Sequence, residues 1–389
     1  MIIDKLKNLN RCDYYIFGWV LYYLQDVLYP QGIISQVLLG VCLFASVVYA
    51  LKVVNYEYKS PYFKGLTLLL VLFSIYGMLL MLEDGFGEYV YLQQIYISLL
   101  PVYSFYYFAK GGYLTEKRLK RWGVVFFVSC ILTYYKMQSE ALQGLIELGS
   151  DRTEETNNAG YYILSLFPVL VLYRNKPLLQ YLGLAIIIAY LLMSMKRGAI
   201  GIGVLCTALF IWDNLKYSSN SKRFVFMFLS IAVIIVAFIF INHMMESSDF
   251  FAQRIQATKD NDSSGRDILF SFFWNHFINA DPIHFLFGYG ANGSTKIFYN
   301  GAHNDWLEIA TNQGLLGVII YFIYWRGFYK TWRKLVLPEA KMAIGFIVLI
   351  FFARTLFSQS YGAMNYYITC LLGFYLAIDY RQHHKAHQL

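Results

Sequence analysis

Charge is scarce in this chain. Charged residues make up 14% of it and hydrophobic residues 58%, whereas a soluble domain carries about 25% charged residues. Too little charge is present to cover the surface of a soluble fold, which excludes a disordered chain and a soluble nucleic-acid binder. Paired cysteines are missing too. Cys12, Cys42, Cys130, Cys206 and Cys370 form no C-x-x-C and mostly sit in apolar runs, so buried thiols are expected in place of a disulfide scaffold or zinc site. No small-residue cleavage site follows the basic start MIIDKLKNLNRC, so the first apolar run reads as a retained membrane helix and not as a signal peptide. No repeat of fixed period is visible, which disfavours a repeat-built transporter.

Aromatic residues are abundant instead, at 19%, with 35 Tyr and 32 Phe, as suits a protein with many membrane–water boundaries. A helix needs about 20 apolar residues to cross a bilayer core. Twelve stretches approach this, near 14–30, 33–54, 62–82, 89–109, 122–140, 159–173, 177–195, 198–213, 224–243, 313–329, 342–358 and 365–379. The expected fold is therefore all-α and polytopic. Residues 1–243 hold spans one to nine, 244–312 a large outer loop with amphipathic helices, and 313–389 spans ten to twelve and a tail. With both termini in the cytoplasm, every inner segment is basic, including Lys117, Arg118, Lys120 and Arg121, and Arg326, Lys330, Arg333 and Lys334. The outer loop from Glu83 to Glu88 is acidic. The net charge of +8 is thus an orientation signal and not a polyanion-binding surface. Residues 141–158 form a second outer polar loop, with Asp151, Arg152, Glu154 and Glu155. No comparable inner domain exists, so soluble chemistry belongs outside.

Three outer features carry chemistry. Ser194-Met195-Lys196-Arg197-Gly198-Ala199 joins two apolar helices through a short turn whose two cations break the positive-inside pattern. A guanidinium there suits phosphate oxygens; the plainer reading is an interfacial Arg snorkelling to headgroups. Ser263-Ser264-Gly265-Arg266-Asp267 precedes an apolar stretch from Ile268 to Phe277, which suits an amphipathic surface helix capped by Ser263 or Ser264. Arg266 then sits in a first turn, where a cation is disfavoured unless it meets an anion; an ordinary loop Arg is the alternative.

The third feature runs from Gly288-Tyr289-Gly290-Ala291-Asn292-Gly293 to Gly301-Ala302-His303-Asn304-Asp305-Trp306-Leu307-Glu308. Its glycines imitate a dinucleotide fingerprint, but no strand–helix–strand context surrounds them, so they serve tight turns or close approach. His303 precedes the tenth span and has the chemistry of a general base near neutral pH; a surface or packing histidine is the alternative. Asp305 and Glu308 are candidate orienters or acceptor-sugar ligands, and no pattern specifies a metal site with His303. Arg354 and Asp26 lie at the outer ends of the eleventh and first spans, where such residues usually face a bundle interior or cavity. Arg354 can add charge to an outer anion site. His383, His384 and His387 read as a solvated tail.

Together the Arg197–Ala199 turn, Ser264-Gly265-Arg266, and the run from Gly288 through His303, Asn304, Leu307 and Glu308 to Gly314–Gly317 resemble the O-antigen ligase and O-antigen polymerase superfamily of bacterial envelope glycosyltransferases. The resemblance covers about 190–325. It implies a multi-pass protein of the bacterial inner membrane with a periplasmic active site. The implied donor is an undecaprenyl-diphosphate-linked glycan; the acceptor is a sugar hydroxyl, on another lipid-linked repeat in polymerases or on lipid A-core in ligases. It implies no metal and no other cofactor, and leaves room for a chain-length regulator protein as partner. By motif position Arg197 and Arg266 hold the diphosphate and His303 assists the acceptor or leaving group. Lys196, Asn304, Asp305, Glu308 and Arg354 are the further expected substrate contacts.

Polymerase is the favoured version, because nothing in the chain points to a lipid A-core acceptor. A lipid-linked oligosaccharide transporter is the alternative from another class; it would concentrate polar residues near mid-membrane.

Overall fold

The computed structural model describes residues 9–25, 27–57, 60–147, 155–217, 219–260, 265–299, 301–358 and 360–386. Asp26, residues 148–154, Ser263, Ser264 and His387 lie outside the described residues, as do the side chains of His383 and His384. The helices are α1 Arg11–Tyr23, α2 Ile33–Glu57, α3 Pro61–Asp84, α4 Tyr89–Leu99, α5 Pro101–Lys110 and α6 Glu116–Glu147. There follow α7 Gly160–Leu164, α8 Phe167–Leu170, α9 Pro177–Met193, α10 Arg197–Tyr217, α11 Asn220–Ser247 and α12 Asp249–Lys259. The last are α13 Arg266–Ile278, α14 Pro282–Phe287, α15 Gly293–Ile297, α16 Asp305–Lys334, α17 Pro338–Phe357 and α18 Tyr366–Ala386. No strand occurs among the described residues.

The protein is an all-α polytopic membrane protein. Among the described residues six helices meet both the length and the apolar composition needed to cross a bilayer, and the first expected span, 14–30, is helical only to Tyr23. Two expected spans are broken. Residues 89–109 divide into α4 and α5 at Leu100–Pro101, because proline has no amide hydrogen to continue the ladder. Residues 159–173 divide into α7, α8 and a 3-10 turn, with Pro168 in the first turn of α8. The expected outer loop at 141–158 begins as helix, since α6 continues to Glu147. The segment 244–312 is largely helical, holding the end of α11 and all of α12 to α15.

Two compact units form. One comprises Met1–Gly40, Gly112–Asp262 and Met342–Ile350, the other Val41–Gly111, Ser263–Lys341 and Phe351–Leu389. In the first, α1 is held against α6 by Asp13, which accepts from Arg118 Nη1 and from Trp122 Nε1 at 3.0 Å. The α9, α10 and α11 helices pack on one another, with Tyr181 and Ser230 hydroxyls 2.8 Å apart. Helix α11 is little buried; Phe224, Phe228, Ile231, Phe238 and Ile239 are exposed, an apolar face suited to lipid. In the second unit, α3 packs along α16 and α5 along α18. Tyr62 meets Phe328 with centroids 4.8 Å apart. All five cysteines are free thiols and buried, as their apolar settings suggested.

Candidate functional site

The Arg197 turn belongs to the first unit. Helix α9 ends at Met193 and α10 begins at Arg197. Ser194 Oγ donates to Leu191 O at 2.6 Å, and Asn157 N donates to Ser194 O at 2.8 Å. Asn157 is itself anchored to Tyr134 O through Nδ2 at 3.1 Å. The turn closes through Met195, whose φ of 51° is uncommon for a residue with a side chain. Arg197 is therefore the first residue of a 21-residue helix, where the backbone N–H groups and helix dipole also favour an anion. Lys196 and Arg197 are half-buried. An apolar groove of about 440 Å³ lies between α9, α10 and α11. On α10 its lining runs from Ile200, three residues beyond Arg197, through Gly203 and Val204 to Ile211.

The remaining motif residues belong to the second unit. Arg266 is the first residue of α13, half-buried behind Gly265 in the left-handed conformation. Its N-cap residue, Gly265, has no side chain with which to cap the helix. Helix α13 buries Phe273 and Phe277 and exposes Ile268, Phe272, Trp274 and Ile278. Its buried side packs on α14 and α16, so apolar residues occupy both faces. Helix α14 is capped by Asp281, which accepts from Ile283 N at 3.0 Å and His284 N at 3.2 Å. The Asp281 carboxyl is held below its ordinary range, first by the bond from the His284 ring and then by the capping amide. His284 stacks on Tyr289 with centroids 4.3 Å apart, and His276 covers Tyr289 at 4.8 Å.

Helix α16 organises the third motif. Asn304 is its N-cap, accepting from Trp306 N at 3.0 Å and Leu307 N at 3.1 Å, and donates to Leu356 O at 3.0 Å. Asp305 is fully buried. It accepts from Tyr321 OH at 2.6 Å, Ser360 Oγ at 2.6 Å and Ser360 N at 2.9 Å, and the buried Arg354 guanidinium acts electrostatically on it. Glu308, 1% exposed, accepts from Ala302 N at 2.7 Å and from Ser294 Oγ. Ser294 N donates to Asn312 Oδ1 at 2.6 Å. The helix breaks at Gly314, with φ 65° and ψ −162°.

The structure thus brings His303, Asn304, Asp305, Glu308 and Arg354 into one unit, with His303 exposed and the two carboxylates buried. His303 has φ 50°, uncommon for a residue with a side chain although histidine is among those that adopt it more often. The carboxylates turn to different partners, and among the described residues no three His, Cys, Asp or Glu are grouped to hold a metal ion. Sequence reasoning missed Ser294, Asn312, Ser360 and Tyr321. Ser294, Ser360 and Tyr321 carry no local signal.

No curated protein compared with the chain matches it. Residues 182–322 match the family described as O-antigen ligase. The matched stretch contains Arg197, Arg266, the glycine turns and the whole start of α16. Over this stretch, about a third of its length, the chain is similar to the O-antigen ligase family.

Proposed function

We propose that this protein is a membrane glycosyltransferase that moves a glycan from an undecaprenyl-diphosphate donor to a sugar hydroxyl at the periplasmic face, polymerising O-antigen or capsule repeats. The observation that carries the reading is the placement of His303. It is exposed in a strained conformation at the head of α16, inside the matched O-antigen ligase domain. Strain of this kind clusters at functional sites. Basic inner segments support cytoplasmic termini in the bacterial inner membrane.

In this reading Arg197, with Lys196 beside it, and Arg266 hold the diphosphate, each at the start of a helix. Their charge stabilises the negative charge that develops as undecaprenyl diphosphate departs. The groove behind Ile200 suits the isoprenoid tail, because apolar surface favours an apolar occupant. The acceptor oxygen attacks the anomeric carbon, the bond from that carbon to the phosphate oxygen breaks, and the lipid diphosphate leaves with the electron pair. His303 takes the hydroxyl proton. A single displacement inverts the anomeric centre and uses no metal. Asn304, Asp305, Glu308 and Arg354 support the acceptor side by fixing the start of α16.

Attachment of finished polymer to lipid A-core is the second reading, favoured by the description of the matched family as O-antigen ligase. One experiment tests both: transfer by the purified full-length protein from a defined undecaprenyl-diphosphate donor, with and without lipopolysaccharide core, with chelator present. Lengthened lipid-linked glycan supports polymerisation, and glycan on core supports ligation. Movement of donor across a vesicle bilayer without transfer returns the transporter. Product NMR showing retained anomeric configuration would overturn the single displacement.

A further inference from the structure

The residues before His303 are held by a buried brace. Both oxygens of Glu308 are engaged, one by Ala302 N at 2.7 Å and the other by the Ser294 hydroxyl. One turn further along the same face of α16, Asn312 Oδ1 receives Ser294 N at 2.6 Å. Residues four apart on a helix lie one above the other. Helix α15 is thereby pinned to two successive turns of α16, and the chain at 301–302 is drawn back over the helix start. Gly301 has φ 61°, and a Cβ there would lie 2.4 Å from Glu308 Oε1. The next residue but one, His303, is left exposed with φ 50°.

We infer that Glu308 is a positioning residue for His303, and that Ser294 and Asn312 complete the brace. This rests on the reading of His303 as the proton acceptor. A sugar-binding role for Glu308 fits poorly, since the side chain is 1% exposed and both oxygens face protein donors. The residue type also follows from the geometry. Two donors converge on this side chain, an amide N–H and a hydroxyl, and a carboxylate accepts from both. A glutamine oxygen accepts from Ala302 while its NH2 group meets Ser294, whose hydroxyl then has to accept. Glu308→Gln is therefore a partial substitute, and Glu308→Ala removes both contacts. The amide of Ala302 would then be buried without a partner, and the turn would relax.

The test is a double-mutant cycle on transfer by the full-length protein in lipid nanodiscs, using lipid-linked glycan extracted from the source cell's membranes as donor. Glu308→Ala should lower kcat on the order of 100-fold, the scale of a misplaced reacting group, with KM for donor little changed. Glu308→Gln should recover part of that loss, and Ser294→Ala should show a smaller loss in the same sense. The decisive measurement is His303→Ala combined with Glu308→Ala. If Glu308 acts through His303, the double variant is no slower than His303→Ala alone. Losses that multiply, or a change confined to KM, would overturn the inference. Should Glu308→Ala fail to fold, Ser294→Ala, which removes one hydroxyl, carries the same cycle. Full activity in His303→Ala would instead overturn the proton-acceptor reading itself, and the inference with it.

Discussion

Gly288 and Gly314 meet backbone to backbone. A Cβ on Gly314 would lie 2.6 Å from Gly288 N and 2.5 Å from Leu286 C, and one on Gly288 would lie 2.4 Å from Asn312 C. Both residues have positive φ, 73° and 65°, and Tyr289 N donates to Thr311 O at 2.9 Å beside them. The contact seats the turn after α14 in the break of α16. It explains why the motif begins and ends on glycine, because no other residue allows both the conformation and the approach.

Gly288→Ala and Gly314→Ala should each destabilise the protein. Positive φ with extended ψ is a conformation nearly confined to glycine and costs about 1–3 kcal/mol with a side chain, and the collision adds about 1–3 kcal/mol. Gly290→Ala is the control: its φ is 89°, but a Cβ there meets nothing within 4 Å. Thermal unfolding in detergent should rank Gly290→Ala as the mildest of the three. Equal losses would show that conformation alone matters.

His303 offers a separation of stability from activity. Glycine relieves the strain of φ 50°, by about 1–2 kcal/mol, while removing the imidazole. His303→Gly should therefore unfold no earlier than the unaltered protein yet lose transfer, by about 100-fold or more on the scale of general base catalysis. Earlier unfolding would mean that contacts of the ring outweigh the strain.

Arg197→Ala and Arg266→Ala should weaken binding of undecaprenyl diphosphate. A hydrogen bond to a charged group is worth about 1.5–3 kcal/mol, roughly a 10- to 150-fold loss of affinity for each. Lysine should restore charge but not the paired geometry of the guanidinium, and so recover only part of the loss. Affinity measured by competition with labelled donor checks this, and unchanged binding in either variant removes that residue from the diphosphate site.

Acid should loosen α14. The Asp281 carboxyl is held below its ordinary range by His284. A depressed folded value means that its contribution is present at neutral pH and above the unfolded value of about 3.9. The contribution is lost as pH falls through the lower folded value. Asp281→Asn retains a capping side chain but lacks the charge, so its unfolding temperature should fall less between pH 6 and the acid limit than that of the unaltered protein. Parallel curves would show that the pair contributes nothing through its charge.

Much of the molecule was legible in the chain because its determinants are local. Low charge, apolar runs and basic loops mark membrane helices wherever they pack, so an all-α polytopic fold could be read from the chain. The glycines at 288 and 314, and the cations at 197 and 266, were visible for the same reason: a turn or helix start is written in adjacent residues. What only the tertiary structure decided are partnerships across sequence distance. Pro101 and Pro168 divide two expected spans, and whether a proline bends or breaks a helix depends on its neighbours in space. The turns at Met195 and His303 adopt left-handed conformations that no local rule assigns to methionine or histidine. Asp305 and Glu308 sat beside His303 in the sequence as acidic residues of one motif. Folding sends one to Ser360 and Tyr321 and the other to Ser294 and Ala302, because a buried carboxylate must find donors and each found them on a different segment.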